Sequence, residues 1–455
     1  MNSVYSLLER HGLITADQIE SAAKRWTQKQ AHDLRDELFE ALSAEKAAVS
    51  SPKSDITIGK FRFFASASIR GDFGCEESYC RIAKAANLAR YAALYCETVF
   101  VPVRLDMHEH GNEDNGAWFR SHLAGTVLSL NELRPASESG IVKLVPEGLF
   151  FCQNCEREAS QNFTESAEVA KQFLLKNEKE FTAEYFPPND DLPLPRVVIK
   201  GPEEYLEHGQ IVRIYSMLPQ WAQELQSQGG KTSSYQLGET EIRKSGVVRS
   251  ILSALAGDAA FQHSYALRYG AKCLTNLEGQ AQVLRAFNDD DYMAQCTSVL
   301  LANMTHSVPM LDELPIATAV RIRKEDPESF LRYRAAIGKV FSDYVESKKF
   351  VNPREAKGIY TDILLPEVLR LKAQVKSLRK SNIKEAAKKL TFSAAVVTIG
   401  LIGGLPAQIA AALKVAGTTN LLRDAHDIFS RADKSSSDVK NENFYFLLRL
   451  LEEKE

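Results

Sequence analysis

The sequence predicts an α/β domain with a short parallel sheet, followed by a larger, irregular helical domain. Between residues 56 and 145, strand-like apolar runs alternate with amphipathic segments of helical period. That alternation favours parallel strands joined by crossover helices. From Glu239 to Ser347 the texture is helix after helix, with Gly246, Gly257, Gly270 and Gly279 near helix ends and Pro309, Pro315 and Pro327 at turns. At 455 residues the chain exceeds one ordinary core, so several units are expected: a helical arm (1–50), the α/β domain (56–218), a helical domain (219–350), a basic helix with an apolar helical hairpin (351–431), and a linker with a C-terminal apolar plug (432–455).

In the arm, LLERHG closes a short helix and Thr15-Ala-Asp-Gln18 offers a capping box for a second. The second helix is expected to run to about Ala48, with a moderate apolar stripe of Ile19, Ala22, Trp26, Leu34, Leu38 and Leu42. Such a stripe suits a helix that docks on something else, its own domain being the favoured reading and a partner-binding arm the alternative. Ser50 to Ser54 reads as a linker.

ITIGKFRFFASASI, from Ile56, reads as a strand, Ser78 to Tyr95 as an alanine-rich helix, and Thr98 to Val103 as a second strand. A polar loop, Met107 to Asn115, precedes a helix whose Phe119, Leu123, Val127, Leu130 and Leu133 recur at helical spacing. Ile141 to Val145 completes a third strand. A helix over about Glu165 to Tyr185 follows, then a connector with prolines at 187, 188, 193 and 195. Arg196 to Lys200 and Ile211 to Met217 are apolar runs able to pair.

Candidate chemistry begins at the turn after the first strand. Open parallel sheets bind ligands beyond the carboxyl ends of their strands, so Ser66, Ser68, Arg70 and Asp72 are candidates for a nucleotide or small-anion pocket, as the alternative to the favoured reading as an ordinary connecting loop. There is no G-x-G-x-x-G. Gly229-Gly-Lys-Thr232 resembles the end of a phosphate loop, but Leu225 stands where its first glycine belongs, which rejects it.

Cys152 and Cys155 have the spacing of two zinc ligands, with Cys75 and Cys80, or His108 and His110, as a second pair. Structural zinc and a redox pair are alternatives to the favoured reading as free thiols, and the sequence leaves the cofactor unknown. His108, His110 and His122 read as solvated loop histidines, with use as acid–base groups or metal ligands as the alternative and no identifiable nucleophile nearby, and Asp289-Asp-Asp291 reads as a helix start. The arginines at 321, 323, 332 and 334 are interleaved with acids, which favours a salt-bridged helix surface over a nucleic-acid face.

The strongest electrostatic feature is Arg370, Lys372, Lys376, Arg379, Lys380, Lys384, Lys388 and Lys389, eight cations against Glu385 alone, a local charge of +7. Over the whole chain the formal net charge is only −3, so attraction to phosphates or lipid headgroups has to come from this helix. Behind it, residues 390–413 carry no charge. Val397, Ile399 and Leu401 give this stretch its apolarity, while Gly403, Gly404 and Pro406 break it into two half-helices, each too short to cross a bilayer. A hairpin buried in protein is expected, with insertion into an anionic membrane as the alternative. The run FYFLLRLL at 444–451 is expected to fold back onto the core, with insertion into a partner as the alternative.

With no early apolar run in MNSVYSLLERHG and seven cysteines spread over the chain, a cytoplasmic protein with reduced thiols, peripheral to a membrane at most, is expected. The leading expectation is a non-enzymatic, bacterial-type interaction or scaffold protein that assembles with a protein partner or with itself. Alternatives are a membrane-perturbing effector acting through residues 370–413 and a nucleotide-handling enzyme using the 66–72 turn.

Overall fold

The computed structural model describes residues 3–49, 61–71, 78–105, 116–147, 153–188, 194–206, 209–215, 220–227, 234–266, 269–287 and 315–336, together with Phe446 and Leu450. The basic helix at 370–389, the apolar stretch at 390–413, Gly229–Thr232, His108–His110 and Asp289–Asp291 lie outside the described residues. The chain has an α/β sheet unit and a helical region, the expected fold class. It divides into two compact units, one formed by 1–88 and 97–292 and the other by 89–96 and 293–455.

The first unit starts with three helices, α1 (Ser3–Arg10), α2 (Ala16–Arg25) and α3 (Gln28–Val49). Thr15 and Gln18 form the expected capping box. The second helix, expected to run on to about Ala48, instead breaks at Trp26. Thr27 and Gln30 make a further reciprocal cap: the Gln30 amide donates to Thr27 Oγ1 at 3.2 Å and the Thr27 amide to Gln30 Oε1 at 2.9 Å. Satisfying these orphan amides with side chains makes a fresh start competitive with one continuous helix. Ile19, Leu34, Leu38 and Leu42 are buried, and the arm packs on its own unit. Tyr5 donates its hydroxyl to the Leu130 carbonyl at 3.0 Å, and His32 stacks on Phe119 at 4.5 Å.

Four parallel strands follow: β1 (Arg62–Ala65), β2 (Thr98–Val103), β3 (Val142–Pro146) and, much later, β8 (Lys272–Leu274). Between the first three run α4 (Ala67–Arg70), α5 (Ser78–Tyr95) and α6 (Gly116–Glu138). All six residues of β2 are buried, as the central strands of parallel sheets are. The five apolar residues expected to line one face of α6 are all buried. The strand expected from Ile56 is shorter, because Ser66 caps α4 immediately after β1.

Next come α7 (Gln153–Leu175) and an antiparallel sheet of order β6-β5-β4-β7, built from β4 (Thr182–Phe186), β5 (Arg196–Lys200), β6 (Gln210–Ile214) and β7 (Tyr235–Gln236). The expected pairing of Arg196–Lys200 with the run from Ile211 is present, as β5 against β6. The helix expected over Glu165 to Tyr185 is corrected: it begins at Gln153 and ends at Leu175, and 182–186 is a strand whose Ala183 and Tyr185 alternate into the core. After α8 (Gln220–Ser227) and α9 (Glu239–Ser245), α10 (Val247–Ala266) packs against α7 and touches β1 and β8; α11 (Glu278–Phe287) ends the described part of this unit.

β8 is the main departure from an all-helical reading of 239–347. Its three residues carry too little periodicity to declare a strand, and it forms because the free edge of β1 is there to pair with.

In the second unit, α12 (Ile316–Glu325) and α13 (327–336) carry the arginines read as a helix surface. Arg321 pairs with Glu325 at 3.0 Å and Arg332 with Glu328 at 3.8 Å. Arg323 donates to the carbonyls of Ala92 and Ala93 at 3.3 and 3.4 Å, where a cation suits a helix C-terminus. Phe446, from the terminal apolar run, is buried against Phe330 and Tyr333 at 5.3 and 5.4 Å. Among the described residues no helix is long and apolar enough to cross a membrane.

Thr27→Ala is expected to lower stability by about 1 kcal/mol, the typical value of a lost N-cap. Chemical denaturation checks it. A continuous α2–α3 helix would instead tolerate the change or gain from it.

Candidate functional site

The order β3-β2-β1-β8 means that the chain leaves β1 toward one edge and returns to its other side with β8. The crevice between the carboxyl ends of β1 and β8 is therefore the switch point of the parallel sheet, where such sheets take ligands. Here the chain places a buried polar network.

Ser66 follows β1 directly. Its amide donates to the Leu274 carbonyl of β8 at 2.9 Å, and its hydroxyl caps α4 at the Ile69 amide and meets Ser68 Oγ at 2.8 Å. Both serines are buried. The next amide, of Ala67, donates to both carboxylate oxygens of Asp258 at 3.0 and 3.1 Å. Asp258 also accepts from the side-chain amides of Gln262, at 3.1 Å, and Gln280. Gln280 in turn accepts from Thr275, which follows β8.

Arg70, at the end of α4, has a side chain only 5% exposed. It donates to the Pro102 carbonyl of β2 at 2.8 Å and to Glu147, just past β3, at 3.3 Å. Its guanidinium stands 3.9 Å from Asp258, a charge contact rather than a hydrogen bond. Pro102 is tolerated in an inner strand because the pairing of β2 with β1 has ended at Phe100, so its missing amide is not needed on that side.

Burial raises the Asp258 carboxyl above its ordinary value. The Arg70 guanidinium and the hydrogen bonds from Gln280 and Ala67 pull it back, and Glu147 adds to the rise. Two more acceptors near these groups, Gln262 Oε1 and Asn276 Oδ1, are buried without a hydrogen-bond partner. The Gln262 amide belongs to the network through its nitrogen, so its oxygen lies beside the same carboxylate.

Gly71 ends α4 at φ +86°, and a Cβ there would come within 2.9 Å of the Arg81 backbone. Arg81 is itself buried, donating to the His122 carbonyl at 3.3 Å and to Thr126 Oγ1 at 3.0 Å. Lys84 donates to the Ser68 carbonyl at 3.1 Å, which fixes α5 against α4.

Of the candidates read from sequence, Ser66, Ser68 and Arg70 come together here, while Asp72 lies outside the described residues. Cys75 and Cys152 also lie outside, Cys155 is in the first turn of α7, and Cys80 is half-buried and in no disulfide. Among the described residues no three potential metal ligands cluster. His122 takes part through its backbone carbonyl.

Sequence reasoning missed Asp258, Glu147, Gln280, Thr275 and Arg81. One signal was available, since Asp258 is the only acid between Arg249 and Arg268, in the middle of an apolar helix. A lone acid on such a face needs a buried partner. No family model matches the chain, and neither a curated protein nor a solved structure is found to be similar to it.

Arg70→Met is expected to cost about 3–5 kcal/mol, because it leaves Asp258 buried without its cation. Adding Asp258→Leu should recover part of that loss in a double-mutant cycle followed by urea unfolding. The raised Asp258 carboxyl binds its proton more tightly in the folded chain than in the unfolded one. Its contribution is therefore fully present below the unfolded value, about 3.9, and is lost as pH rises through the folded one. Across that interval the Tm of the wild type should fall relative to that of Asp258→Asn. A difference that does not change with pH would contradict this assignment.

Proposed function

We propose that this protein is a ligand-responsive interaction protein rather than an enzyme. In this reading the α/β unit holds a small polar ligand at the carboxyl edge of its parallel sheet, and the remaining chain engages a protein partner or a second copy of itself. The observation that carries it is the convergence of the carboxyl ends of all four parallel strands on one buried network around Arg70 and Asp258. Holding nearly buried charges at a switch point requires compensating partners, and that is the cost a chain bears to shape a polar site.

Binding is favoured over catalysis by the condition of the candidate groups. Ser66 and Ser68 are buried and bonded to each other, and the Asp258 carboxylate is engaged by an amide and two side chains. A nucleophile or general base needs a clear approach to the reacting atom. Among the described residues of the network, no side chain offers that combination. The side chains of Asp258 and Glu147 are 10% and 24% exposed, so the network meets solvent only at its edge.

The interaction half of the proposal draws on the +7 stretch at 370–389 and the uncharged 390–413 stretch, a sequence pattern suited to a helical partner or an anionic surface. A cytoplasmic setting belongs to the same proposal.

Thermal unfolding of the full chain with separate nucleotides, nucleosides, sugars and amino acids tests the ligand half. At least one class should raise Tm with concentration, as any ligand of the folded state does, and Asn276→Ala should weaken the effect. A flat response to every class would overturn the reading.

A further inference from the structure

At the amino ends of the parallel strands, opposite the ends that carry the Arg70–Asp258 network, two cations stand on one face of the sheet. Arg62 opens β1, and Lys143 is the second residue of β3. The register sets Arg62 beside Thr98 and Phe100 beside Lys143. Alternation then places Arg62, Phe64, Phe100, Lys143 and Val145 on the same face, the one whose apolar members join the core with α7 and α10. We propose that Lys143 is a covalent attachment site for a small 2-oxo acid, its amine forming a Schiff base at the keto carbon while the Arg62 guanidinium holds the neighbouring carboxylate.

Both side chains are half-buried, and among the described residues neither makes a hydrogen bond or an ion pair. The Arg62 guanidinium lies over the Phe100 ring at 5.5 Å, so this side chain leans from β1 across β2 toward β3. A cation–π contact uses the face of the guanidinium and leaves its N–H edges open. Tyr269 packs on the same Phe100 ring at 4.7 Å and fixes it in the core. A half-buried lysine lays its stem on such an apolar surface and turns its amine toward water, where a dissolved ligand meets it.

Burial lowers the Lys143 amine below its ordinary value, and the Arg62 charge lowers it further. The two heads therefore lie within electrostatic reach of each other. Only the neutral amine is a nucleophile, and desolvation beside a second cation is one way a lysine is activated. Its lone pair attacks the keto carbon, both amine protons pass to the keto oxygen, and that oxygen departs as water. A C=N bond replaces C=O, with nothing oxidised or reduced. The carboxylate on the adjacent carbon matches the planar fork of Arg62 and supplies a counter-charge to the pair. A simple ketone engages Lys143 alone, and a simple carboxylate Arg62 alone. This site adds to the ligand-binding reading of the carboxyl edge and does not depend on it.

Incubating the full chain with pyruvate, reducing any imine with borohydride and mapping the adducts by peptide mass spectrometry tests the proposal. Lys143 should be labelled ahead of exposed lysines such as Lys179, and Lys143→Arg should lose that adduct. Acetone, which has the ketone without the carboxylate, calibrates the role of Arg62. In Arg62→Gln the ratio of pyruvate to acetone labelling at Lys143 should fall about tenfold, the effect of losing a charge-assisted hydrogen bond. The pH profile of Lys143 acetylation by acetic anhydride should turn below the ordinary lysine value of about 10.4, and move up in Arg62→Gln. If Arg62→Gln fails to fold, Arg62→Lys keeps the charge without the fork and should show the same loss of pyruvate preference. Pyruvate labelling spread evenly over the lysines overturns the attachment site. Labelling of Lys143 with a ratio indifferent to Arg62 overturns the 2-oxo acid assignment.

Discussion

The parallel sheet depends on the contact between Arg70 and the groups at the strand ends. One guanidinium, held at the end of a four-residue helix, reaches the Pro102 carbonyl, Glu147 and Asp258. Through them it links the turn after β1 with β2, β3 and α10. The Asp258 carboxylate then extends the link to β8 by way of Gln280 and Thr275. A nearly buried charge cannot be left without partners, so each of these elements is constrained by the others. The short strands, three to six residues each, gain from ties outside their ladders.

This network explains local features that would otherwise be unrelated. The capped turn of α4 aims the Ala67 amide at Asp258. The positive-φ glycine that ends α4 brings Arg81 close. Lys84 fastens α5 to the Ser68 carbonyl. Away from the site, ordinary apolar burial does the work: α7 and α10 pack with the inner faces of β4 and β5 into one core, and the N-terminal helices cover α6 and β3. Among the described residues of the second unit, aromatic rings pack on one another. Phe446 closes on Phe330 and Tyr333, and Tyr333 on Tyr95. Burial pushes the Cys96 thiol up there, despite the nearby Arg323 and Arg334, so this cysteine stays a protonated packing group.

How much of this was legible follows from the range of the signals. Periodicity located the α6 stripe, β2, β3 and the pairing of β5 with β6, because each of these elements carries its pattern within its own residues. The Thr15–Gln18 cap was equally local. The Thr27–Gln30 cap was just as visible in principle, but the charge-rich sequence around it masked the break. β4 was lost inside an expected helix because five alternating residues are a weak signal beside a long helical neighbour.

By itself, then, the sequence determined the class of the fold, most of the apolar faces and the turn carrying Ser66, Ser68 and Arg70. All of these rest on contacts between residues a few positions apart. Only the tertiary structure decided that β8 joins the sheet some 200 residues after β1, and that Asp258, Glu147 and Gln280 meet Arg70 at the strand ends. A three-residue strand and a lone buried acid have no local period to reveal them. Their placement follows from the free edge of β1 and from the requirement that buried charge be paired, and neither condition exists until the chain has folded.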